Sequence, residues 1–179
     1  MLLKTQGIII KKANLGEADR LLTIYTEDFG KILVKAKSVR KNQAKLKGHL
    51  ELFLHNHLMI APGRGLDIIT GAETIEGFSY LHQDLSSLAA SYYLSELIDK
   101  LISDSEKDIN IWPLLLNSLQ EFNRPNQPIK TIINNFENRL LEFLGYGCEQ
   151  KDPVCFIESF LKEELNSKYF LQRVNHLVK

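Results

Sequence analysis

Lys31, Lys35 and Lys37 recur at even spacing in a run whose alternate residues, Ile32, Val34 and Ala36, are apolar. In an extended strand this alternation aligns the three ammonium groups on one face, about 7 Å apart per two residues, close to the step of an extended nucleic-acid backbone. The run continues into a polar stretch carrying Arg40, Lys41, Lys45 and Lys47, so residues 31 to 50 hold seven Lys/Arg and no Asp or Glu. The chemistry such a pattern can do is electrostatic: it can neutralise phosphates. A lysine-protected edge strand gives the same pattern for a different reason, the blocking of aggregation. The missing counter-charges favour polyanion binding.

The wider charge distribution has the same asymmetry. Over 179 residues the 22 basic and 22 acidic side chains cancel, yet the first 64 residues contain twelve Lys/Arg against five Asp/Glu, a net +7, which leaves −7 for the rest. Lys11, Lys12, Arg20 and Arg64 extend the cationic set beyond the central run. A split of this size predicts a polyanion-binding module joined to a module with another task. Two cysteines, Cys148 and Cys155, are too few for a disulfide framework and point to a reducing compartment. The N-terminus reaches Lys4 too early for a signal peptide, and no apolar run is long enough to cross a membrane, so a soluble cytoplasmic protein is expected.

A change of hydrophobic period near residue 78 sets the expected domains, 1–77 and 78–179. Before it, five β-rich runs are expected: Gly7 to Lys12, Leu21 to Thr26, Lys31 to Val39, Leu50 to Ile60 and Leu66 to Ile75. Gly30 and the Pro62-Gly63-Arg64-Gly65 stretch supply turns between them. In the fourth run Leu50, Leu52, Leu54, Leu58 and Ile60 face one way, with His49, Glu51, His55 and His57 facing the other. Five short strands fit a small closed barrel. After residue 78 the apolar spacing becomes helical. One long amphipathic stretch is expected from Leu81 to Leu101, then helices over Leu114 to Phe122 and Ile129 to Leu144, and short closing helices. Pro113 and Pro128 suit helix starts, and Gly145 suits a stop. The fold class is α+β: a five-stranded barrel followed by an all-α domain.

Other candidates carry less. His55 and His57 share a strand face but lack a third metal ligand. Glu17, Asp19 and Arg20 are expected to form a turn in which one carboxylate pairs with Arg20. Tyr25, Phe29 and Phe53 could stack on bases, though strand aromatics are more often core, as Trp112 is expected to be. No phosphate loop, nucleophile elbow or metalloprotease motif is present, so no catalytic residue and no cofactor is expected.

Several short motifs in order resemble the RecO family of bacterial recombination mediators. They are Gly16-Glu17-Ala18-Asp19-Arg20-Leu21-Leu22-Thr23-Ile24-Tyr25-Thr26, Ala36-Lys37-Ser38-Val39-Arg40-Lys41, Gly63-Arg64-Gly65-Leu66-Asp67 with Ala72-Glu73, Phe136-Glu137 with Arg139-Leu140-Leu141 and Leu144-Gly145-Tyr146-Gly147, and Leu165-Asn166-Ser167-Lys168-Tyr169-Phe170-Leu171. The resemblance implies an OB-fold followed by a helical domain, without enzymatic activity. It also implies binding of single- and double-stranded DNA, strand annealing, contact with SSB, and cooperation with RecR to load RecA, in a cytoplasmic, nucleoid-associated setting. Lys11, Lys12, Arg20, Lys31, Lys35, Lys37, Arg40, Lys41, Lys45, Lys47 and Arg64 are the expected DNA contacts, with Lys130 and Arg139 the nearest cations for an acidic SSB tail. Family members often carry a zinc-binding insertion with paired Cys-x-x-Cys motifs; here only a few residues separate Gly147 from Phe156, and Cys148 and Cys155 are expected to be ordinary thiols. An adaptor that has lost DNA binding, or an RNA-binding barrel, are the alternatives.

Overall fold

The computed structural model describes residues 2–124, 126–147 and 152–177, and Cys148 lies outside them. The chain divides into two compact units, residues 1–77 with 102–108, and residues 78–101 with 109–179.

The first unit is a closed barrel of five strands: β1 (Leu3–Leu15), β2 (Asp19–Thr26), β3 (Gly30–Ala36), β4 (His55–Ala61) and β5 (Asp67–Glu76). Their order around the barrel, β1-β2-β3-β5-β4, leaves a parallel contact between β3 and β5, and this is the connectivity of an OB-fold. The long first strand serves two neighbours. Leu3 to Ile8 pair with β4 while Gly7 to Leu15 pair with β2, and an irregularity between Ile9 and Lys11 bends the strand. Gly7 stands where both ladders overlap, and a Cβ there would come within 2.8 Å of Ile24 Cγ2 and 2.9 Å of Leu58 Cδ1. Period-2 alternation sends Ile9, Leu22, Ile24, Val34, Ala36, Leu58, Ile60 and Ile69 into the core. Each fully buried aliphatic side chain contributes roughly 1.5–3 kcal/mol.

The fourth run departs from the expected strand. Residues 50–54 are turns, and β4 begins only at His55. Phe53 takes a left-handed conformation with φ 64°, buries its ring, and donates its N–H to Ile9 O at 2.8 Å. His55 is consequently buried rather than outward, with Nε2 2.8 Å from Gln6 Oε1, while His57 is exposed. Burial holds the His55 imidazole below its ordinary pKa.

The third run is also shorter than expected. β3 ends at Ala36, and residues 37–40 turn, with Ser38 at φ 54°. The polar stretch that follows is not loose. Val39 is buried and Leu46 packs against the core, while the N–H groups of Lys41, Ala44 and Lys47 donate to the carbonyls of Ser38, Lys41 and Ala44, giving successive tight turns. Apolar side chains every few residues thus anchor a loop whose charged residues point outward.

The second unit comprises α1 (Ser79–Gln83), α2 (Leu85–Leu101), α3 (Ile111–Asn123), α4 (Ile129–Phe143), α5 (Pro153–Leu161) and α6 (Asn166–Leu177). The expected single stretch from Leu81 to Leu101 is broken at Asp84, which is extended (ψ 117°) and accepts the Ser87 N–H at 2.7 Å as an N-cap. Trp112 is core, and Gly145 closes α4 at φ +82°. Glu96 on α2 accepts N–H bonds from Asn166 at 3.1 Å and Ser167 at 2.7 Å, capping α6 across the helix packing. Lys100 completes that site, 3.3 Å from Glu96 and 3.0 Å from Glu163. Tyr93 on α2 donates its hydroxyl to Glu137 on α4 at 2.6 Å, with both residues almost wholly buried.

Candidate nucleic-acid interface

Across the outer face of β1, β2 and β3 the register places Lys11 opposite Thr23 and Thr23 opposite Leu33, with Leu21 opposite Lys35 and Tyr25 opposite Lys31. The outward set of β3 is therefore Lys31, Leu33 and Lys35, in the alternation that the sequence predicts. Their states differ. Leu33 is exposed, Lys35 is half-buried with Nζ 2.8 Å from Asp19 Oδ2, and Lys31 is buried. Lys31 Nζ lies 3.3 Å from Asp104 Oδ1 in the segment Ile102–Asp108, which belongs to the barrel unit. As the structure stands, Lys31 does not present a charge to solvent, contrary to expectation.

Lys12 and Arg20 also have an assigned task. Both reach Glu51 from the β3–β4 connection, Arg20 Nη1 at 3.0 Å and Lys12 in a short ion pair. Burial would raise the Glu51 carboxyl, but the two cations outweigh it and hold the group below the usual glutamate range. The turn expected to pair Arg20 with Asp19 or Glu17 is built otherwise: Asp19 receives Lys35 and accepts the Ser38 N–H at 2.7 Å, and these contacts lower its pKa. Arg40 Nη1 donates to Gly16 O at 2.9 Å, tying the β3–β4 connection to the β1–β2 turn.

The cations that remain exposed form the candidate surface. Lys37, Arg40, Lys41, Lys45 and Lys47 are exposed along the connection after β3; Lys11 is exposed on β1, and Arg64 is exposed in the β4–β5 turn. Among the described residues no carboxylate pairs with Lys41, Lys45 or Lys47. OB-folds hold oligonucleotides on strands 2 and 3 with the β1–β2 and β4–β5 loops; Arg64 lies in the latter, and the lysine-rich β3–β4 connection continues directly from strand 3. Of the aromatic side chains expected as stacking candidates, Tyr25 and Phe53 are fully buried and Phe29 is half-buried. Leu33 is the exposed apolar side chain of β3, and nothing but its outward register and its alternation with two lysines marks it in the sequence.

Lys130 and Arg139 both lie exposed on α4. Their nine-residue offset is two and a half turns, which puts them on opposite sides of the helix. Lys130 borders a groove of about 730 Å³ among α2, α4, α5 and α6, and Arg139 borders one of about 320 Å³ between α3 and α4. The two cations expected nearest an acidic SSB tail thus border separate grooves. Cys155 is a free, exposed thiol.

Residues 1–78 match the family model described as Recombination protein O N terminal, and residues 82–163 match Recombination protein O C terminal. The chain belongs to the RecO family. It is similar to the DNA repair protein RecO of Dehalococcoides mccartyi, 38% identical over 149 residues, which is 83% of this chain and 58% of the relative. The RecO of a Roseiflexus species is 38% identical over 143 residues, 80% of this chain and 50% of the relative. That of Trichodesmium erythraeum is 39% identical over 146 residues, 82% and 50% respectively. The chain thus spans about half the length of the curated relatives it matches. The five strands fall within the N-terminal match; helices α2 to α5, and residues 102–108 of the barrel unit, fall within the C-terminal one, and α6 lies beyond it.

Proposed function

We propose that this RecO chain is a non-enzymatic DNA-binding mediator of DNA repair and recombination, holding single- and double-stranded DNA on the barrel and annealing complementary strands. The observation that carries this reading is the anchored β3–β4 connection, which presents Lys37, Arg40, Lys41, Lys45 and Lys47 outward while Val39 and Leu46 fix it to the core. Five exposed cations on a held backbone neutralise phosphates without sequence preference. Annealing then needs no bond chemistry: charge neutralisation brings two strands together, and base pairing does the rest. Lys11, Lys35 and Arg64 are further candidate contacts, whereas Lys12 and Arg20 serve the barrel through Glu51.

Family membership supports the partners of the same reading: SSB, RecR and, indirectly, RecA. Lys130 and Arg139, each beside its own groove, are separate contact points on the helical unit. Annealing of two complementary oligonucleotides, one labelled, tests the reading. The chain should raise the rate over the spontaneous reaction, and Lys41→Glu with Lys45→Glu should abolish the gain. Equal rates with and without protein would reject the proposal.

A further inference from the structure

The ladder between β3 and β5 is short, with Val34 opposite Asp67 and Lys35 opposite Ile68. Toward Lys31 the edge of β3 is met by the segment Ile102–Asp108 instead. Lys31 and Asp104 form a parallel bridge, and the Ser105 N–H donates to Lys31 O at 2.7 Å. The contact is close: a Cβ on Gly30, whose φ is +66°, would lie 2.1 Å from Glu106 O. Glycine is therefore required there twice, for its conformation and for the approach of the segment. Lys107 Nζ comes within 3.8 Å of Asp28.

Three of five successive residues in this segment, Asp104, Glu106 and Asp108, are acidic, and Asp104 is bridged to Lys31 at the start of β3. Asp104 leaves 71% of its side chain in solvent, whereas the Lys31 side chain beneath the segment is only 8% exposed. An exposed carboxylate on a covered lysine is the arrangement that a phosphate oxygen would make in its place. Lys31 lies four residues from Lys35 on the same face, about 13 Å along the strand, or two steps of an extended single strand.

Resting on the DNA-binding reading above, we propose that residues 104–108 form an acidic strap whose Asp104 holds the place of a phosphate on Lys31, and that a bound single strand displaces it and continues from Lys35 to Lys31. Lys31 is then a concealed member of the binding face. The strap sets a threshold: a ligand must supply enough charge at this position to replace a carboxylate already there.

The test is salt-dependent binding of a labelled thymidine oligonucleotide to the wild-type chain, Asp104→Asn, Lys31→Gln and the double variant. Asp104→Asn should bind tighter, because the competing charge is gone. Lys31→Gln should be nearly neutral in the wild-type background, where it removes a phosphate contact and the strap's anchor together. In the Asp104→Asn background it should cancel the gain and flatten the salt slope by about 0.7, the share of one phosphate on a single strand. Lys31→Gln without effect in that background, while Lys37→Glu with Arg40→Glu still weakens binding, would overturn the strap and leave the DNA reading standing. Loss of neither would reject both. If Lys31→Gln does not fold, amine acetylation of Asp104→Asn read by mass spectrometry replaces it: the oligonucleotide should protect Lys31, and no protection would overturn the proposal.

Discussion

Lys35 Nζ stands 2.8 Å from Asp19 Oδ2 across the β2–β3 hairpin, so a lysine well placed to meet a phosphate already holds a carboxylate. Asp19 has a second duty. Its other oxygen accepts the Ser38 N–H at 2.7 Å and fixes the turn that launches the cationic connection.

Asp19→Asn should separate these duties. The amide oxygen still accepts from Ser38 while Lys35 loses its anionic partner. Single-stranded DNA should bind several-fold more tightly, with a salt slope steeper by about 0.7. Fluorescence anisotropy at several salt concentrations measures both, and an unchanged affinity would remove Lys35 from the contact surface.

Arg20→Gln should behave in the opposite way. Arg20 is mostly covered and engages Glu51, so its loss should lower stability by about 1 kcal/mol in urea unfolding and leave the DNA salt slope unchanged. A flattened slope with undiminished stability would return Arg20 to the DNA face.

Glu137 and Tyr93 set a pH dependence. Burial pushes the Glu137 carboxyl above the ordinary glutamate value, only partly offset by the Tyr93 hydroxyl, and burial with the neighbouring Glu137 raises the Tyr93 phenol. A raised acid contributes stability that is complete below its unfolded-state pKa and is lost as pH rises through the folded-state value. Melting temperature should therefore fall over that window in the wild-type chain. In Glu137→Gln, which keeps the acceptor oxygen, this component should vanish. Tyr93→Phe removes the donor and should cost about 1–3 kcal/mol. Parallel melting curves for wild type and Glu137→Gln across this pH range would contradict the account.

Much of the barrel is legible in the residues. Leu22 with Ile24, and Val34 with Ala36, alternate as strands half-buried against a core must, and Gly30 marks its turn at φ +66°. The fourth strand is misread because Leu50, Leu52 and Leu54 keep the period across a stretch where Phe53 reverses the backbone; alternation of apolar residues does not encode φ. Asp84 escapes notice for a related reason. It fills a polar position in a continuous helical pattern, and its action as a cap depends on where the Ser87 N–H points. The cationic run is visible at once, but which of its members remain available is not. Glu51, Asp19 and Asp104 come from distant parts of the chain, and only the folded backbone brings them to Arg20, Lys35 and Lys31.

Binding of a labelled thymidine oligonucleotide across a range of salt concentrations tests the central claim most directly. If Lys37, Arg40, Lys41, Lys45 and Lys47 neutralise about five phosphates, log K should fall against log salt with a slope of roughly −3.5, and Lys37→Glu with Arg40→Glu should weaken binding and flatten that slope to about −2 or shallower. A chain that binds with no dependence on salt, or a folded double variant that binds as the wild type does, would contradict the assignment of this surface.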